Sequence, residues 1–439
     1  MATEERSPVV PEALVIGAGI AGMQASLDIA EKGFKVHLVE KDPCIGGHMA
    51  QLDKTFPTLD CSACIITPKM VDTANHPNIH LLTYSDIVEV KGRAGTFQVK
   101  IRRRPTFVNA SRCTGCGDCT EACVLKKGVL SEFNVGMARR RAIYISFPQA
   151  VPLKAVIDDK SCLFLSKGKC KKACAEACKA GAIDFEQKEE ILELSVGAII
   201  VATGFDPFDP RLKPEFAYGT YPNVLHGLEL ERLCSASGPT RGEILIDGKR
   251  PRDVVFIQCV GSRDKTVGND YCSRVCCMYT AKQAHLLRDK IPDARLTVLY
   301  MDVRAFGKGF EEFYERVQKE NVIYRRGNPS ELYRRNGRLV VRGEDTLLGE
   351  PFELEADLVV LAAGLIPRKE DDILKEILGL EKSPDRFYAE APGLDPVLTG
   401  VEGIFLAGCC QGPKDIPDTV AQASGAASLA CAILAKGRK

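Results

Sequence analysis

Nineteen cysteines stand in a chain of 439 residues, and their spacing points to a chemistry. Cys113, Cys116, Cys119 and Cys123 form a CxxCxxCxxxC run. Three thiolates on one tight loop can grip a face of a four-iron cube, while the fourth, one helical turn on, reaches a second cube. Structural zinc uses paired CxxC knuckles, so four cysteines crowded this closely suit iron–sulfur chemistry better. A mirror run follows in Cys162, Cys170, Cys174 and Cys178, with seven residues between its first two members and CxxxC in place of CxxC afterwards. By the crossing rule of two-cluster modules, Cys113, Cys116 and Cys119 pair with Cys178, and Cys162, Cys170 and Cys174 pair with Cys123.

Two further groups are less specific. Cys61-Ser-Ala-Cys64 reads equally as a redox dithiol, as half of a metal site completed by another chain, or as two buried thiols. Cys259, Cys272, Cys276 and the adjacent Cys277 follow an apolar run at a turn and helix start. Their spacing allows either a third cluster or a set of buried free cysteines.

These groups need a scaffold, and its signature is at the start of the chain. The apolar run at Ala13 meets Gly17-Ala-Gly19-Ile20-Ala21-Gly22, an alanine-rich helix follows, and a second apolar run ends at Glu40-Lys41. This is the strand, turn, helix, strand and acid of a dinucleotide site. Gly17 serves the turn, Gly19 the approach to pyrophosphate and Gly22 the packing of helix on strand, with Glu40 accepting ribose hydroxyls. Gly47-His48 offers a second glycine turn. Strands are expected at 79–82, 87–90 and 97–101, after which Arg102-Arg103-Arg104-Pro105 breaks the pattern. The cysteine runs then occupy an inserted two-cluster ferredoxin-type module, 106–190. The dinucleotide-domain pattern resumes at 191–245 with Ala202-Thr203-Gly204 closing a buried strand, and ends at 366–439 with Ala407-Gly408-Cys409 and a helix from Val420 to Leu434. Ala202-Thr203-Gly204 and Ala407-Gly408 resemble the cofactor-contact motifs of two-dinucleotide-domain flavoproteins, in most of which an aspartate holds the position of Cys409. Between them, 246–365 has a second strand–turn–helix frame, with a helix around Tyr279 to Lys290, but Cys259-Val-Gly-Ser-Arg263 replaces the phosphate-binding glycines. NAD(P)H binding there is therefore not expected.

The totals set limits. Lys+Arg of 59 against Asp+Glu of 58 speaks against nucleic acid or an anionic membrane as the main partner. No apolar run approaches a bilayer-spanning length, and the first residues lack a secretory pattern. A cytoplasmic protein is expected, where so many thiols are a metal signature and not a disulfide scaffold. No side-chain acid, base or nucleophile can be assigned, so catalytic residues stay unknown.

Taken together, Gly17 to Gly22, Gly46-Gly-His-Met-Ala-Gln-Leu-Asp, Phe56-Pro-Thr-Leu-Asp-Cys-Ser-Ala-Cys64, the insert, Phe256-Ile-Gln-Cys-Val-Gly-Ser-Arg-Asp264 with Cys272, Cys276 and Cys277, and Ala407-Gly-Cys-Cys-Gln-Gly-Pro-Lys-Asp-Ile-Pro417 resemble the A subunit of heterodisulfide reductase. The resemblance implies a thioredoxin-reductase-like α/β fold of two Rossmann-type dinucleotide domains binding FAD, with an inserted ferredoxin domain. It also implies a four-iron cluster on Cys259, Cys272, Cys276 and Cys277, three [4Fe–4S] clusters in all. Function would be electron transfer, with flavin-based bifurcation between a two-electron partner and low-potential ferredoxin. Implied partners are B- and C-type subunits of the complex, a hydrogenase- or dehydrogenase-linked donor, ferredoxin and a second copy in a homodimeric core. The alternatives are a non-bifurcating relay of the quinone-linked kind, peripheral to a membrane complex, and a NAD(P)H-dependent disulfide reductase using Cys61 and Cys64. Longer family members carry an N-terminal cluster domain and a C-terminal ferredoxin that have no counterpart in this sequence.

Overall fold

The structure, a computed structural model, describes residues 9–393 and 395–437. The first eight residues, part of the stretch read for a secretory pattern, lie outside the described residues. Short apolar runs buried on both faces make a parallel sheet, as such runs must when helices cover both sides. Its strands lie in the order Ile404–Leu406, Ala198–Val201, Glu12–Ile16, Lys35–Val39, Ile79–Leu82, all parallel. The neighbours of Glu12–Ile16 come from opposite sides of the insert, so the sheet closes only when the chain returns from it. Helix α1 (Ile20–Glu31) leaves the first strand at Gly19, and α2 (Ser62–Asn75) is capped by Cys61. The strands Ser85–Lys91, Phe97–Arg103 and Glu190–Val196 form an antiparallel sheet that both leads into the insert and receives it back.

The insert has its own small core, in which Phe107, Val108, Ile143 and Ile157 surround buried cysteines. Its short helices are α3 (Asp118–Ala122), α4 (Leu163–Lys167) and α5 (Ala173–Ala177), and α3 packs against α5. The second parallel sheet has the order Val224–His226, Leu358–Ala363, Asp253–Val260, Arg295–Tyr300, Val322–Arg326. It carries α6 (Gly227–Cys234), α7 (Cys276–Lys290) and α8 (Phe310–Lys319), whose apolar faces share one core with it. Because Val224–His226 pairs within this sheet, the second unit begins before residue 246, and the boundary expected at 245 is too late.

Helix α7 starts at Cys276, one turn earlier than the apolar pattern suggests, which puts both vicinal cysteines inside its first turn. After α9 (Asp371–Leu378), the closing helix α10 (Ile416–Leu434) also starts earlier than expected, with Asp415 accepting the Asp418 N–H and Pro417 in the first turn. By length and composition alone the stretch from Ile416 to Gly437 could cross a membrane, contrary to the expectation from sequence. It instead lies on α1, with Ala423, Ala426, Ala427 and Ala430 buried against the first core. Small residues there allow the two helices to approach closely.

Candidate cofactor and cluster site

A cavity of about 1400 Å3 opens where the two sheets and the insert meet. The glycines of the first turn set its floor. Gly17 takes a φ of +100°, and a Cβ there would meet the Ala202 carbonyl oxygen at 2.4 Å; a Cβ on Gly22 would lie 1.8 Å from the Gly17 oxygen. Gly19 has open space on that side, so backbone is bared to whatever fills the cavity. Helix α1 points its first N–H groups there, a ready anion site of the kind dinucleotide phosphates use.

The structure brings most of the expected cofactor residues to this wall. Gly17, Gly19, Ile20, Ala21, Glu40, Lys41, Gly47, His48, Ala202, Thr203, Gly204 and Cys409 line it, whereas Gly22 and Gly408 lie behind it and hold the turns together. Cys409 donates from its thiol to the Lys414 carbonyl at 3.4 Å, and Lys414 Nζ in turn donates to the Gly408 and Gly412 carbonyls. The N-terminal turn of α10, with Asp415, Ile416 and Thr419, therefore faces the cavity. His48 sits between Gln51 and the Phe205 carbonyl, and burial depresses its pKa, keeping it neutral.

Glu40 accepts the Ala18 N–H at 2.7 Å and the Asp42 N–H at 3.0 Å. Burial first, then the nearby Asp42 charge, push its carboxyl up to about 7. Below that pH the Glu40 carboxyl of flavin-stripped protein is protonated, and accepting ribose hydroxyls favours the ionised form, so FAD binding is expected to release a proton. Affinity for FAD is expected to fall by up to about tenfold per pH unit below about 7, and Glu40→Gln should abolish the slope. Calorimetric titration of flavin-stripped protein from pH 8 to pH 5 checks this; a flat profile for the parent chain would remove Glu40 from the ribose.

The twelve expected cluster cysteines fall into three groups. Cys119 lies among Cys113, Cys116 and Cys178; burial, with those neighbours adding, pushes its thiol up to about 11. Cys174 lies among Cys123, Cys162 and Cys170 and is pushed to about 11 in the same way. These are the two crossed sets read from the sequence. Cys276 has Cys259, Cys272 and Cys277 around it, and burial holds its thiol well above the ordinary value. Such thiols stay protonated at neutral pH unless a cation or cluster takes them. Among the described residues no three Cys, His, Asp or Glu side chains converge on a single-ion position, so the grouping is one of proximity and not of a closed mononuclear cage. The chemistry of four clustered thiols suits an iron–sulfur cube.

The third quartet and the cavity share one helix. Cys276 and Cys277 occupy the first turn of α7, while Val275, Tyr279, Lys282 and Gln283 of the same segment line the cavity. The insert supplies another wall through Phe133, Tyr144 and Phe147, with the two phenylalanine rings stacked at 4.3 Å. Arg232 of α6, fully buried, ties the two together by donating to the Gln51 carbonyl at 2.9 Å and Asn134 Oδ1 at 3.1 Å.

Sequence reasoning missed the charged group in this wall. Lys282 and Glu231 form an ion pair at 2.8 Å with each side chain only 2% exposed. Lys282 also donates to the Lys54 carbonyl at 2.8 Å, and Glu231 accepts from Gln283 at 2.7 Å and from the Asp53 N–H at 3.1 Å. The Oε1 of Gln283 is buried without a hydrogen-bond partner among the described residues. The signal was present: Met278, Lys282 and His285 fall at i, i+4 and i+7, so the pattern puts a lysine on the buried face.

Cys61 and Cys64 are joined in a disulfide at the start of α2, with Cys64 exposed, and neither lines the cavity. They are therefore not placed as a flavin-facing pair. In the second unit, a Cβ on Gly261 would lie 2.2 Å from the Phe208 ring. That buried ring fills the turn where a nicotinamide dinucleotide would lay its pyrophosphate, giving the missing glycines a physical counterpart.

The family profile for pyridine nucleotide-disulphide oxidoreductases matches residues 11–427. The chain is 52% identical over 431 residues to the A subunit of the H(2):CoB-CoM heterodisulfide,ferredoxin reductase of Methanothermobacter marburgensis, covering 97% of this chain and 64% of that one. It is 45% identical to a protein of Archaeoglobus profundus described as like the A subunit of heterodisulfide reductase, covering 98% and 67% respectively. The chain thus spans about two thirds of these relatives' length. Among solved structures, Lactococcus lactis thioredoxin reductase matches with a TM-score of 0.54 at 14% identity, over 97% of this chain and 99% of that one, a likeness of fold.

Proposed function

The chain belongs to the pyridine nucleotide-disulphide oxidoreductase family and, within it, to the heterodisulfide reductase A subunits, and from that membership we propose that it is a flavin and iron–sulfur electron-transfer subunit joining two-electron to one-electron chemistry. FAD would supply the two-electron centre, and three four-iron clusters, two of them in the ferredoxin-like insert, the one-electron centres. One observation carries the reading: α7 holds two cysteines of the third quartet, Cys276 and Cys277, in its first turn and lines the cavity with Tyr279, Lys282 and Gln283 further along.

The chain's own residues then have definite work. The first turn of α1 would receive the central pyrophosphate, Glu40 the adenosine ribose, and the first turn of α10 would face the flavin half. Tyr279, whose hydroxyl donates to the Ala363 carbonyl at 2.8 Å, stands between cavity and quartet. Lys282, anchored by Glu231, is the cationic donor on the wall and would stabilise negative charge that a bound flavin gains on reduction. The insert, with its two quartets, offers the exit for single electrons. In the full complex one electron of a pair would pass to a disulfide-type acceptor and the other to low-potential ferredoxin, with B- and C-type subunits as neighbours.

The test is which donor reaches the flavin. Under anaerobic conditions, reduced ferredoxin is expected to bleach the flavin absorbance rapidly, while NADPH at the same concentration leaves it unchanged because Phe208 occupies the pyrophosphate turn. Rapid bleaching by NADPH with none by ferredoxin would refute the proposal in favour of a self-contained NAD(P)H reductase.

A further inference from the structure

The two quartets of the insert differ in their surroundings. The run 113–123 contains two acids, Asp118 and Glu121, and no base, whereas 160–179 contains six lysines and one acid, Glu176. The irregular spacing of the second run is where part of this charge enters. The residues that lengthen it include Lys167, Gly168 and Lys169, which end α4 and turn through Gly168 at a φ of +64°. Lys167, Lys169 and Lys171 are exposed, and among the described residues none of them has an ion-pair or hydrogen-bond partner for its ammonium. Lys172 differs, lying 4.1 Å over the Phe164 ring and so bracing the loop.

Directly beneath lies the second quartet. Cys123, Cys162, Cys170 and Cys174 share a small apolar cavity with Phe164 and Phe185, and half-buried Cys170 stands between Lys169 and Lys171 in the chain. The cationic tip and the outermost thiol of the quartet are one loop. The fold uses no other part of that loop's charge, and a solvated lysine cluster gives nothing to stability.

We propose that the loop 166–172 is the docking surface for a small acidic one-electron carrier protein of the ferredoxin type, seated over Cys170 so that it would exchange electrons with a cluster held by the second quartet. The inference rests on the electron-transfer reading above. With a cluster held there, the exchange would be of one electron, gained by the carrier's centre as the cluster gives it up, or the reverse, with no bond made or broken. Redox encounters of this kind are small and short-lived, so charge acts on the association rate more than on the area buried. A patch within a Debye length, about 10 Å at 0.1 M salt, of the entry thiol orients the carrier as well as attracting it.

The experiment immobilises an acidic plant-type ferredoxin and measures association of the anaerobically purified holoprotein over a range of salt. Lys167→Glu/Lys169→Glu/Lys171→Glu is expected to lower the low-salt association rate at least about tenfold and to flatten its salt dependence. Lys249→Glu/Lys308→Glu/Lys319→Glu makes the same change in net charge at exposed positions of the second unit and is expected to change the rate less than about twofold. Iron and flavin content are measured on every sample. Equal losses in both triple variants, or no loss in either, with iron and flavin intact overturn the docking site alone. A parent chain without clusters would instead remove the electron-transfer reading. Capture of phosphatidylserine vesicles in place of ferredoxin would make the loop a membrane contact and also overturn the proposal.

Discussion

Lys282→Met is expected to destabilise the chain by about 3–5 kcal/mol, measured by denaturant unfolding of the flavin-bound protein. The reason is the partner left behind. Glu231 is as buried as the lysine, and its carboxylate would lose its cation while keeping the Gln283 and Asp53 donors. Adding Glu231→Gln to the same chain retains an acceptor and removes the stranded charge, so the double variant should recover much of the loss. A single variant within about 1 kcal/mol of the parent would mean the pair is solvated. The functional effect is separate: with the pair neutralised in the double variant, reduction of the flavin should slow about a hundredfold or more, as loss of a preorganised donor at developing charge does. Unchanged reduction kinetics in the double variant would leave Lys282 a purely structural residue.

What could be read before the fold was known follows from how local each signal is. The first turn was legible because Gly17, Gly19, Gly22 and Glu40 are fixed by one strand–helix–strand unit, and a residue's neighbours in sequence are its neighbours in space. The crossed sets of the insert were legible because the cysteine spacing itself encodes them. Cys259, by contrast, is separated from Cys272 by a folded loop, and spacing alone left its grouping open. The wall of the cavity was illegible for a stronger reason. Glu231, Lys282, Phe133 and Gly19 come from four distant segments, and only the closing of both sheets around the insert brings them to one space. The boundary at 245 failed because Val224–His226 is a three-residue strand whose partner, Leu358–Ala363, lies more than a hundred residues on. Hydropathy alone misjudges α10 because alanines that pack a core have the same hydropathy as alanines that face lipid.

The second large effect is in metal content. Three four-iron clusters give about twelve irons per FAD, and replacing Cys276 and Cys277 by serine is expected to bring the ratio to about eight. The two sites of the insert draw on other cysteines, in a separate core, and should keep their iron. Cys234→Ser is the control: that thiol is as buried as the pair, at 1% exposure, and packs in the second core outside all three quartets. It should leave the iron unchanged. The FAD should stay bound throughout, because the pair lies behind the cavity wall and does not line it.

Iron and flavin analysis of the anaerobically purified chain beside its Cys276→Ser/Cys277→Ser variant therefore tests the central claim, that a cluster stands next to the flavin on α7. A fall from about twelve irons per FAD to about eight, with flavin retained, is the predicted result. About eight in both samples, with flavin intact, would make the Cys259 quartet structural and contradict the route from flavin to cluster.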